Sequence, residues 1–296
     1  MRMNTDWVDV SQGKDVPRVT PDLQRLQVPT SPQVTWLGHS CFLIQYAGFN
    51  ILTDPVFSQR ASPISFAGPL RYTQPPLDLS ELPTIHAVVI SHNHYDHLDL
   101  DTIETIDQQH QPHWFVPLKN EMLLEGVDVH STRIDSLDWW STGSFQSSNG
   151  KVAQFTATPA QHWSARGLFD RNEMLWASWV IDLDGRRIFF GGDTGYQNKI
   201  FRDIGARYGP FELGLIPIGA YAPREFMHPS HVNPFEAVQI HLDIKAKQSF
   251  GAHWGTFPLT AEPVLEPLKK LQTALDKFEL SQQVFRGLAL GETVSW

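Results

Sequence analysis

The chain has 296 residues, 41% of them apolar and 19% charged, which is enough to bury a sizeable core and excludes a disordered protein. A formal charge of -9 argues against the broadly cationic surface that nucleic acid or anionic lipid attracts. Cys41 is the single cysteine, so no intrachain disulfide or thiolate cluster can form, and oxygen and nitrogen must do any metal binding.

The first residues lack the apolar stretch of a signal peptide, and no later run approaches the roughly 18 apolar residues of a membrane span. A cytoplasmic protein, at most peripheral to a membrane, is the expectation. Residues 1–32 carry no sustained period and read as an extended arm; residues 33–296 read as one domain. From Val34 the runs VTWLGHS, CFLIQYAG and NILTDP look like successive strands, with AGFN as a hairpin tip. Six prolines between Pro55 and Pro83 mark a long loop, a candidate substrate wall. IHAVVI reads as a buried strand, and Leu100, Ile103 and Ile106 supply one face of a short helix. HWFVP, KVAQFTATP, LWASWVIDL, RRIFFGGD and LGLIPIG continue the strands, with DLDGRR as a second hairpin. Asn233, Pro234 and Glu236 spell a helix start with a capping box, and Val264, Leu268, Leu271, Leu275 and Phe278 recur at helical spacing. Strands with interspersed helices, without βαβ alternation, predict two sheets covered by helices.

The segment ISHNHYDHLD, straight after HAVVI, holds His92, His94, Asp96 and His97. In an extended segment His92 and His94 point the same way and can grip one ion, while Asp96 and His97, where the chain turns, can face a second. Imidazole and carboxylate suit zinc, and also iron or manganese. The alternative is a solvated histidine-rich turn, and the cluster alone cannot close a site. Further ligand types stand at other strand ends: His162 in TPAQHWS, Asp193 in FFGGDTGY and His253 in FGAHWGTF, each after an apolar run.

His-x-His-x-Asp-His with a distant His, Asp and His resembles the pattern of the metallo-β-lactamase superfamily. Within it the chain is most similar to the N-acylphosphatidylethanolamine-hydrolysing phospholipase D family. The closer resemblance is carried by WLGHSCFLI, LTDPVFS, SHNHYDHLD, TPAQHWSARGLFDRNEMLWASW, FFGGDTGY, IPIGAYAPREFM, HVNPFEAV and HWGTF, in order from Trp36 to Pro258. It implies an α+β fold, a four-layer αββα sandwich with two divalent ions along one sheet edge, zinc foremost and iron or manganese as alternatives. By motif position His92, His94 and His162 would hold the first ion, Asp96, His97 and His253 the second, and Asp193 would bridge them. Such a pair lowers the pKa of a bridging water toward about 7, giving a hydroxide that attacks a phosphodiester. The implied products are N-acylethanolamine and phosphatidic acid. Another phosphodiester, a sugar phosphate, a lactone, or a non-hydrolytic redox role are the alternatives. The resemblance also suggests a phospholipid partner, peripheral membrane contact and a homodimer; nucleic acid is not expected.

By the same resemblance Asp54 is a carboxylate that orients a ligand histidine. Asp96 can also accept a proton from the nucleophilic water, and His231 would protonate the leaving oxygen or bind phosphate. Ser230 stands where the family often has Gln. Tyr95, Trp163 and Tyr221 flank the motifs as candidate pocket walls. His39 in LGHS reads as a structural histidine bonded to nearby backbone. Asp138–Trp140 and the loop from Phe57 to Tyr72 are candidates for an apolar apron.

Overall fold

A computed structural model describes residues 10–147 and 150–296; residues 1–9 of the arm lie outside them. The arm is not extended throughout. Asp22 accepts the amide of Arg25 and starts α1 (Leu23–Gln27), whose Leu26 is buried against the body. The chain then runs through β1 (Gln33–Gly38), β2 (Cys41–Tyr46), β3 (Phe49–Thr53), β4 (Ala87–Val89), α2 (Leu100–His110), β5 (His113–Pro117), α3 (Glu121–Glu125) and β6 (Ile134–Leu137). There follow β7 (Thr142–Gln146), β8 (Val152–Thr158), β9 (Ser178–Leu183), β10 (Arg186–Phe190), α4 (Asn198–Arg207) and β11 (Phe211–Pro217). The remainder is α5 (Arg224–Met227), α6 (Pro234–Asp243), β12 (Ala246–Ala252), α7 (Glu266–Lys277), β13 (Phe285–Arg286) and β14 (Thr293–Ser295).

Among the described residues these strands make two sheets. The first has the order β14-β1-β2-β3-β4-β5-β6, antiparallel as far as β3 and parallel beyond it. The second has the order β13-β12-β11-β10-β9-β8-β7, parallel as far as β10 and antiparallel beyond it. Both expected hairpins form. Ala47 and Gly48 between β2 and β3, and Asp184 and Gly185 between β9 and β10, all have positive φ, which matches a tight turn to the twist of its strands.

Strand alternation explains the layering. In the first sheet Trp36, Phe42, Ile44, Ile51, Val89 and Phe115 face the second sheet, and Phe115 stacks on Phe155 of β8 at 3.9 Å. Their neighbours Leu43, Leu52, Val88, Trp114 and Val116 point outward and bury Ile103 and Ile106 of α2 and Leu124 of α3. Phe201 and Ile204 of α4, Ala237, Val238 and Ile240 of α6, and Leu271 and Leu275 of α7 join the core of the second sheet. The result is an α+β sandwich with helices on both outer faces. No helix among the described residues is long and apolar enough to cross a membrane.

Candidate metal centre

The histidine segment leaves β4 under restraint from both sheets. Ile90 donates its amide to Phe115 O at 3.0 Å, while Ile90 O accepts Trp179 Nε1 at 2.9 Å and Ser91 O accepts Ala177 N at 2.9 Å. Each such bond is worth about 1 kcal/mol net, and more when a buried group would otherwise be left unpaired. The chain then closes a turn, with His97 N and Leu98 N both donating to His94 O.

The turn brings His92 and His94 together with His162, which follows β8. His92 Nε2 lies 2.8 Å from His94 Nδ1, and His162 Nε2 lies 3.3 Å from the same atom. A second group forms where Asp96 Oδ2 sits 3.3 Å from His97 Nε2 and 3.3 Å from His253 Nε2, the latter just past β12. Asp193, just past β10, reaches both: its Oδ2 is 3.3 Å from His97 Nε2 and 3.1 Å from His253 Nε2, and 4.0 and 3.8 Å from His92 and His162 Nε2. All seven residues singled out in the sequence thus converge.

The donor set fits divalent ions. Ligands at zinc–nitrogen distances of about 2.0–2.1 Å in tetrahedral array stand about 3.3 Å apart, close to most of these spacings. His97 Nε2 and His253 Nε2 are buried and complete no hydrogen bond among the described residues, the geometry of atoms that face a common point. On three of the histidines the other ring nitrogen is held from outside. Ser91 Oγ meets His92 Nδ1 at 2.8 Å, Asp54 Oδ2 accepts from His97 Nδ1 at 2.6 Å, and Ser230 O takes His162 Nδ1 at 3.0 Å.

Electrostatics divide the groups. Burial pushes His92 and His162 well below the usual histidine range, so both are neutral and their lone pairs free. Burial opposes charge at His253 and His97 too, but Asp193 and Asp96 outweigh it, holding His253 up at about 9 and His97 well above its ordinary value. Against the same burial penalty, the imidazoles hold Asp193 and Asp96 well below the carboxylate range. Two carboxylates amid five imidazoles make a centre that attracts positive charge.

The surrounding residues are placed unequally. Asp54 also accepts Ser91 N at 2.6 Å and Ser91 Oγ at 2.5 Å, so it orients the histidine segment as a whole. His231 Nδ1 is 3.7 Å from Asp193 Oδ2, and burial pushes the ring down to about 4. Trp163 packs edge-on to His94 at 4.3 Å and, with Phe226, Met227 and His231, lines a cavity of about 360 Å³. Tyr95 donates to Arg166 O at 2.9 Å, lies under the Arg166 guanidinium, and lines a second cavity of about 460 Å³ with Arg60 and Ile64. Tyr221 is drawn elsewhere: it is buried and its hydroxyl donates to Glu266 of α7 at 2.9 Å. The Asp138–Trp140 segment forms no apron, because Trp139 and Trp140 pack against the core. The structure corrects the reading of His39. Its ring does not bond nearby backbone but reaches Asp96 Oδ2 with Nε2 at 2.9 Å. It too follows an apolar strand, the signal that picked out His162, Asp193 and His253.

Comparison with known proteins agrees with this geometry. The family model of the β-lactamase superfamily domain matches residues 49–254. The chain is 44% identical over 264 residues to the N-acyl-phosphatidylethanolamine-hydrolyzing phospholipase D 1 of Caenorhabditis elegans, covering 87% of this chain and 74% of that one. It is 38% identical over 279 residues to the mitochondrial N-acyl-phosphatidylethanolamine-hydrolyzing phospholipase D of Saccharomyces cerevisiae, covering 90% of this chain and 58% of that one. Among solved structures, a metallo hydrolase from the archaeon Ignicoccus hospitalis KIN4/I aligns with TM-score 0.61 at 22% identity, covering 90% of this chain and 98% of that one. The chain therefore belongs to the metallo-β-lactamase superfamily, in the N-acylphosphatidylethanolamine-hydrolysing phospholipase D family, and is a metal-dependent hydrolase.

Proposed function

We propose that the protein is a two-metal phosphodiesterase of phospholipase D type that acts on N-acylphosphatidylethanolamine-like phospholipids, with zinc as the foremost metal. The observation that carries the two-ion reading is the position of Asp193 Oδ2, within 4.0 Å of ligand atoms from both groups. His92, His94 and His162 would hold one ion and Asp96, His97 and His253 the other, with Asp193 within reach of both groups. When bound, the ions supply Lewis acidity and lower the pKa of a bound water toward about 7.

The substrate reading is supported by relatives named for this lipid and by the rim of the site. Phe66 is 81%, Leu168 91%, Phe169 93% and Phe226 78% exposed, on three segments that border the two cavities. Large apolar side chains left this open suit peripheral contact with a phospholipid surface. In the reaction the oxygen of water adds to phosphorus, the bond from phosphorus to the ethanolamine oxygen breaks, and that oxygen leaves with a proton. Asp96 is the acceptor for the water proton. His231, neutral at rest, contributes a hydrogen bond to the phosphate and becomes a proton donor only after the anion raises its pKa. Residues 33–296 make up the catalytic domain in this reading.

Metal-assayed protein given N-acylphosphatidylethanolamine in mixed micelles, with products read by mass spectrometry, tests the proposal. N-acylethanolamine and phosphatidic acid from the native protein, and neither from Asp193→Asn, is the expected result. Fully metallated protein that yields neither product would overturn the lipid assignment.

A further inference from the structure

We propose that His39 is a positioning residue of the metal centre, holding the Asp96 carboxylate in place for the second ion. The inference rests on the two-ion reading above and adds a residue to it.

Asp96 is the most exposed member of its group. Its side chain is 14% exposed, against 0% for His97 and 1% for His253, and it sits in a turn rather than at the end of a strand. It needs an anchor from another element. His39 Nε2, 2.9 Å from Asp96 Oδ2, reaches it from the end of β1, 57 residues away in sequence.

His39 is itself held through its backbone and its ring. Its amide donates to Thr256 Oγ1 at 2.6 Å, and its carbonyl accepts Trp36 Nε1 at 3.0 Å and His253 N at 3.0 Å. The ring lies 4.0 Å from that of His253 and meets the Phe257 ring edge-on at 5.3 Å. Its φ of +53° is left-handed, as are the +34° of Asp54 and +60° of His253. Such backbone is strained and persists where the surroundings impose it.

The hydrogen-bond inventory separates a positioning role from a structural one. His39 faces Asp96 through Nε2, and a carboxylate oxygen accepts, so the proton of this bond is on Nε2. Nδ1 is buried with no partner among the described residues, so the Asp96 bond is what the side chain's polarity serves. Direct ligation by His39 is disfavoured by the same bond, since a nitrogen bound to an ion has no proton to give. Asp96 Oδ2 has a second lone pair, and that one faces the ligand atoms of His97 and His253.

Two variants test this. Asn tolerates left-handed φ, so His39→Asn keeps the backbone while its short amide falls short of Asp96. His39→Gln restores a donor near the Nε2 position. Metal content after dialysis, chelator competition for the second ion, and the visible spectrum of the cobalt(II)-loaded protein are read beside kcat and KM. His39→Asn should keep the first ion, bind the second about 10–100-fold more weakly, and lose kcat with KM little changed. His39→Gln should recover most of that affinity with an unaltered cobalt spectrum. Wild-type affinity for both ions in His39→Asn, or a His39→Gln as weak as His39→Asn, would overturn the inference. A wild type that binds a single ion would instead overturn the two-ion reading, and the inference with it.

Discussion

Asp54 Oδ2 accepts the Nδ1 proton of His97 at 2.6 Å, and neither side chain is open to solvent. The same carboxylate takes both donors of Ser91. With three donors converging on two oxygens, Asp54→Asn must turn its amide NH2 toward at least one of them. Metal affinity should fall about 10–100-fold, measured by chelator competition, while the far-UV circular dichroism stays that of the native protein.

Gly192 precedes Asp193 with φ +56°, and a Cβ there would lie 2.5 Å from Ser91 Cβ. Gly192→Ala adds a left-handed penalty to an overpacked contact, about 2–4 kcal/mol together. Urea unfolding of the metal-stripped protein should show that loss. Because Ser91 bonds both Asp54 and His92, metal retention on dialysis should drop as well.

Asn233 accepts the amides of Phe235 and Glu236 at 2.9 and 3.1 Å, and the Glu236 carboxylate returns to Asn233 N at 3.0 Å. Asn233→Ala leaves the first turn of α6 without its cap and should lower stability by about 1 kcal/mol in denaturant titration. Metal content should not change, since no ligand comes from α6.

His241 is buried in α6 with Nδ1 2.8 Å from Ser249 Oγ, and burial pushes its pKa down to about 4. The unfolded chain takes up this proton near pH 6.5 and the folded one only near 4. Between those values the unfolded state holds more protons, so this residue's effect on stability worsens as pH falls from 6.5 to 4. At about 1.4 kcal/mol per pH unit, the stability advantage of wild type over His241→Gln should shrink by up to about 3 kcal/mol from pH 7 to pH 4. Parallel curves for the two metal-stripped proteins would count against it.

What the sequence disclosed depended on how local each signal was. The hairpins, the α6 cap and the apolar strands ending at His92, His162, Asp193 and His253 are written in neighbouring residues, and the structure has them. β14 is three residues long and pairs with β1 from the far end of the chain, a partnership no local pattern encodes. β6 is half-buried throughout, and β7 is a largely exposed edge strand, so neither shows the apolar run that marks a core strand. His39 was misread for a related reason. Its partner is 57 residues away, and a lone histidine after a strand does not show which group its ring will meet. Tyr221 was misplaced because a motif position fixes the backbone, whereas Glu266 on a later helix decides where the hydroxyl goes.

The residues gathered at the centre come from opposite halves of the sandwich: His92, His94, Asp96 and His97 follow β4 in the first sheet, while His162, Asp193 and His253 follow β8, β10 and β12 in the second. Any ion bonded to both sets acts as a rivet through the open edge of the sandwich. Stripping the metal would then do more than silence the chemistry. It would leave two apolar faces to keep their alignment by packing and the few hydrogen bonds at Ile90 and Ser91, with the seam beside the histidines the first place for water to enter.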